Sequence, residues 1–114
     1  MDVLTTLYRI HEILGEHSEE GAVWIGSVIT LSGRDEARFY RELNSARMWG
    51  GAGSIANQAL ADNPGMDERI WQAGIREFRE LMIELGSHLQ ARGTENPDIS
   101  SWMLAFSNWN QSEV

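Results

Sequence analysis

Between Asp67 and Arg92 the side chains of Ile70, Trp71, Ile75, Phe78, Leu81, Met82, Leu85 and Leu89 recur at spacings of three and four. Set at helical angles they fall within about 140° of arc, the signature of a long amphipathic helix with a broad apolar face. Such a face must be covered, so the rest of the chain has to supply packing partners. Gly93 is the natural stop for this helix.

The same period recurs elsewhere. Val3, Leu4, Leu7, Tyr8, Ile10 and Leu14 share one stripe while Asp2, Thr5, Arg9, Glu12 and Glu16 point away, which predicts a helix over 2–15. Residues 22–31 are ambiguous, because their β-branched content suits a strand. No second segment offers a strand to pair with, and a lone strand leaves its backbone groups unsatisfied, so helix is the expected state. Ser18 would cap it, with Glu19 and Glu20 in the first turn, and Gly33 would end it. Being apolar around most of its circumference, it is expected to be the central element. Asp35 to Arg47 reads as one helix with Phe39, Tyr40, Leu43 and Ala46 on a single face. Asn63-Pro64-Gly65 reads as a turn. After Pro97, Ile99, Trp102, Met103, Phe106 and Trp109 define a last docking helix. No repeat or linker divides residues 1–114, so the expected fold is all-α, a compact single-domain bundle of five or six helices.

Composition removes several kinds of chemistry. The chain has no Cys, which excludes disulfides, thiolate-held metals and a thiol nucleophile. It also has no Lys, which excludes a Walker-type phosphate loop, Schiff-base catalysis and a Ser-Lys pair. The net charge of −8 sits at the ends, since residues 1–33 carry five acids against Arg9 alone and residues 93–114 carry three acids and no base. Nucleic acid and anionic membranes repel such a surface, whereas a basic protein is attracted to it. Charged residues interrupt any apolar leader near the start, and no run is long enough to span a bilayer, so a cytoplasmic protein is expected.

Two stretches look like motifs. His11 and His17 flank Glu12 in a spelling similar to the helical zinc-protease motif, but they stand six positions apart, about 240° around a helix, and cannot meet on one ion. No metal site is expected, and His11 reads as a core histidine. Gly51-Ala52-Gly53-Ser54 has the spelling of a dinucleotide fingerprint, yet helical sequence precedes it where that motif needs a strand. The expected role is a tight helix-to-helix crossing beside Trp49, with Ser54 capping a short helix. Glu77, Glu80 and Glu84 read as a solvated outer face. No catalytic or cofactor-binding residue is assigned, and no nucleophile or acid-base constellation stands at motif spacing.

The segment Trp49 to Leu60 resembles small bacterial helical proteins in which a Gly-Gly-Met-Gly-Ser turn leads into a short helix. Some of these are similar to the acidic immunity partners of polymorphic or contact-dependent toxins. Ala52 here takes the place of the Met, and Ala56-Asn57 the place of Asn-Asp. The resemblance implies a non-enzymatic protein that neutralises a cognate toxin by stoichiometric binding, without a cofactor. The partner, a toxin or other protein with a basic surface, is expected on the acidic ridge of Glu12, Glu16, Glu19 and Glu20. A second reading keeps the Gly-rich turn 50–54 as a seat for a small anionic ligand, or for a small enzyme built around it.

Overall fold

The computed structural model describes residues 2–17, 19–60, 67–93 and 96–112. Their helices are α1 (Val3–His17), α2 (Glu19–Ile29), α3 (Glu36–Leu43), the single turn α4 (Ala46–Trp49), a 3-10 helix (Ala56–Leu60), α5 (Glu68–Ala91) and α6 (Pro97–Gln111). The fold is all-α, with no strand among the described residues. Ser18 and the Asn63-Pro64-Gly65 turn lie outside them.

Local chemistry sets the starts. Asp2, Asp35, Asp67 and Asn96 each accept a backbone N–H from the first turn of the helix that follows, at 2.9, 3.1, 2.9 and 3.0 Å. Each bond satisfies a donor that the helix itself cannot pair. The Thr5 amide also holds the Asp2 carboxyl below its ordinary pKa. Gly33 and Gly93 take left-handed conformations (φ 80° and 89°) where the chain leaves α2 and α5.

The central element is α5, not α2. One flank of α5 packs along α1 and another along α6, and it also meets the 3-10 helix. Phe78, Met82, Leu85 and Leu89 are sealed against Leu7, Ile10 and Leu14 of α1 and Ile99 and Phe106 of α6. Helix α2 lies on the outside of α1, burying Ala22, Ile25 and Val28 while Val23 faces water. Its apolar circumference therefore overstates its burial.

Both α1 and α6 run antiparallel to α5. Thr6 reaches Glu84 and Arg9 reaches Glu77, so partners descend as α1 ascends. Gln90 donates to Ser100 and Arg76 to the Asn110 carbonyl, which sets the same sense for α6. At the crossing, a Cβ on Gly86 would lie 2.6 Å from Met103 Sδ and 3.1 Å from Ile99 Cγ2. Any larger residue here would have to displace the Met103 side chain and press on Ile99.

The expected single helix from Asp35 to Arg47 is broken at Asn44–Ser45. Ser45 Oγ donates to the Glu42 carbonyl and Asn96 Nδ2 donates to the Asn44 carbonyl. Those bonds satisfy carbonyls a continuing helix would have used, and Ala46 turns out to solvent as the start of α4. Trp49 is fully buried and fixes this corner twice. Its indole N–H donates to the Leu43 carbonyl at 2.7 Å, and its own carbonyl accepts the Trp102 indole N–H at 2.8 Å.

The glycines after Trp49 do not mediate a helix crossing. Gly53 has φ 86°, a chain reversal, and nothing stands within 4 Å of a Cβ added at Gly51 or Gly53. Ser54 does cap the short helix, accepting the Asn57 amide while donating to the Gly50 carbonyl. The amides of Ser54 and Ile55 are paired with the Gly51 and Arg47 carbonyls, so these two donors are engaged within the turn.

Candidate functional site

The four acids singled out in the sequence sit on two successive helices. Glu12 and Glu16 lie on the outer side of the C-terminal half of α1, and Glu19 and Glu20 form the first turn of α2. Their positions follow from the buried stripes, because Ile10, Ile13 and Leu14 turn inward on α1 and Gly21 and Ala22 turn inward on α2. All four carboxylates are directed to solvent, with the Glu12 and Glu20 side chains 65% and 82% exposed. The positive end of α2 favours charge at Glu19 and Glu20.

Glu20 and Glu12 have arginine neighbours. Arg47 Nη2 lies 3.1 Å from Glu20, and Arg9 Nη1 lies 3.2 Å from Glu12. Arg9 is shared, because its Nε and Nη2 clasp both oxygens of Glu77 on α5, the second at 2.7 Å. This clasp was not legible in the sequence. It changes Glu77 from one of three solvated acids into a cross-helix partner, with its pKa drawn below the ordinary glutamate value by the Arg9 hydrogen bonds. Arg9 is shifted the opposite way, as a mutual pair requires. Arg76 turns away from this face to bond the Asn110 carbonyl.

Beside the ridge lies a groove of about 580 Å³ between α1 and the N-terminal half of α5. Glu12, Glu16 and Glu77 edge it, while Gly15, Ala73 and Gly74 leave it open. Ile70, placed by periodicity on the buried stripe, is instead 59% exposed at its end. The side chains that face it across the groove are too small to cover it. A shallower depression continues along the same pair of helices past Tyr8 and Leu81 and shares Arg9, Glu12 and Glu77.

His11 is half-buried against α2, with Nε2 3.5 Å from where a Gly26 Cβ would stand. No group of three His, Cys, Asp or Glu among the described residues is arranged to hold a metal ion. No helix among them is long and apolar enough to cross a membrane. Comparison of the chain with protein-family models, curated proteins and solved structures finds no match.

Proposed function

We propose that this chain is a binding protein without chemistry of its own, an immunity-type partner that neutralises a cognate bacterial toxin in the cytoplasm. The observation that carries the reading is the corner where α1 meets α2. There Glu12, Glu16, Glu19 and Glu20 project into water from successive turns. Toxin domains that act on nucleic acid need basic substrate surfaces, and an acidic ridge is captured by such a surface quickly and selectively. Occupation of that surface blocks the toxin without any bond being made or broken. The Gly-rich turn supports the ridge only indirectly, by anchoring α4, from which Arg47 reaches Glu20.

The test is co-expression with a candidate toxin, sought among the genes that adjoin this one. Wild type is expected to protect the cell, and the triple variant Glu12→Lys, Glu16→Lys, Glu19→Lys is expected to fail. Each exposed charge contributes at most about 1 kcal/mol to folding, so the variant should retain its helical circular dichroism and melt cooperatively. Association with purified toxin should slow most at low salt. Equal protection by wild type and variant at matched expression would refute the assignment of the ridge.

A further inference from the structure

The α1–α5 groove has features that neither helix packing nor the acidic ridge accounts for. It runs between two antiparallel helices and has an exposed apolar side chain towards each end, Tyr8 at 56% and Ile70 at 59%. Buried Ile13 and Leu81 lie at its base. Glu12 and Glu16 edge it on α1 and Glu77 on α5, and Glu80 and Glu84 line a neighbouring depression farther along α5. Midway, the Arg9–Glu77 clasp ties the walls together and engages Arg9, the one arginine among the described lining residues. From Ile70 to Leu81 the α5 wall extends about 16 Å at 1.5 Å per residue, the length of a three-turn helix.

We infer that this groove seats a basic amphipathic helix of the partner protein, its apolar stripe on Tyr8 and Ile70 and its arginines or lysines against the flanking glutamates. The inference rests on the binding role proposed above and names the recognition element. Helix-in-groove recognition reads apolar anchors at i, i+3, i+4 and i+7, and two antiparallel helices offer a trough that a third helix fills. Charge selects the occupant. A second copy of this chain would bring Glu12, Glu16 and Glu80 against acids of its own kind in a two-fold contact. An acidic helix would meet the same repulsion, whereas a basic one gains at both rims.

Gly15 provides a test that leaves charge and core alone. It lines the groove within α1, and no described residue lies within 4 Å of a Cβ built there. Gly15→Phe therefore starts its side chain in open space beside the trough, and its melting curve checks that the fold accepts the ring. The probe is an 18-residue helical peptide with leucines along one face and lysines and arginines flanking them, read by fluorescence anisotropy and amide chemical shifts. Saturable one-to-one binding is expected, with shifts on the α1 and α5 amides around Gly15 and Gly74. Gly15→Phe should weaken it at least tenfold at unchanged melting temperature, and the same peptide carrying glutamates should not bind. Absence of saturable binding, or shifts elsewhere, would overturn the inference. So would wild-type affinity in Gly15→Phe. If Glu19→Lys, Glu20→Lys abolishes binding while Gly15→Phe does not, the partner sits on the ridge alone; the groove assignment then falls and the binding role stands. Self-association through this face, seen by sedimentation and blocked by Gly15→Phe, would replace the basic helix by a second copy.

Discussion

Alanine at Gly86 and alanine at Gly15 are the same chemical change in two helices, and the structure assigns them opposite signs. In an exposed helix, Gly→Ala stabilises by about 0.5–1 kcal/mol, because the unfolded chain loses freedom it would otherwise keep. Gly15 meets that condition, since its new methyl would face open space. At Gly86 the methyl would stand 2.6 and 2.9 Å from Met103 Sδ and Cγ and 3.1 Å from Ile99 Cγ2. Ile99 is fully buried and β-branched, so it has no free rotamer to retreat into. Met103 is half-buried and can swing its sulfur outward, at the expense of its contact with α5. Overpacking of this kind costs about 1–3 kcal/mol, against which the helix gain recovers at most about 1. Gly86→Ala should therefore fall roughly 1–3 kcal/mol below Gly15→Ala in urea unfolding at constant m-value. Met103→Ala should remove most of that penalty, giving a coupling of about 1–2 kcal/mol in the double-mutant cycle. If Gly86→Ala is as stabilising as Gly15→Ala, the helices do not approach as closely as described and the argument for α5 as the central element loses its main support.

Three further outcomes follow from particular contacts. Phe78→Ala or Leu85→Ala, each emptying a fully buried site on α5, should cost about 2–5 kcal/mol in chemical denaturation, and wild-type melting of both would mean the stripe faces water. Trp102→Phe removes the indole N–H bonded to the Trp49 carbonyl and should cost about 1–2 kcal/mol, whereas no loss of stability would mean water replaces that bond freely. Glu77 has a folded pKa below its ordinary value of 4.5, so its contribution is present above that pH and disappears as pH falls through the folded value. The stability difference between wild type and Glu77→Gln should accordingly be at most about 1 kcal/mol at pH 7, given the partly exposed pair, and shrink on acidification; a difference that grows below pH 4 would contradict the Arg9 clasp.

The elements readable from sequence were those whose burial is decided within one helix. The stripe positions of α5 and α6 project to one side, and a single packed neighbour covers most of them whatever its identity. Residues 22–31 were resolved by elimination, since backbone groups in a lone strand would go unpaired. The break at Asn44–Ser45 was hidden because the bond that stabilises it comes from Asn96, far along the chain. The exposure of Ile70 was hidden for a related reason. Its period is correct for the buried face, but the opposing wall at that level is Gly15 and Glu16, and neither covers it. Likewise, nothing local to Arg9 or Glu77 announces their pairing, and the acidic ridge was legible only because its residues lie on consecutive turns.

Glycine carried information that its spelling did not reveal. The cluster at 50–53 stands out in sequence, yet its demands are local: a left-handed reversal at Gly53, and at Gly50 a Cβ that would strike the Ala46 carbonyl at 2.5 Å. The glycines that shape the surface are single residues inside helices, where each weakens the helix relative to alanine. At Gly86 that weakness is offset by the close approach of α6. At Gly15 no described contact offsets it, because no described residue comes within 4 Å of the missing methyl. A helix interior that forgoes a methyl with no internal neighbour gains only an open trough, and this one lies against Glu12 and Glu16 beside an uncovered Ile70. A partner helix that fills the trough would supply the contact that the isolated chain lacks.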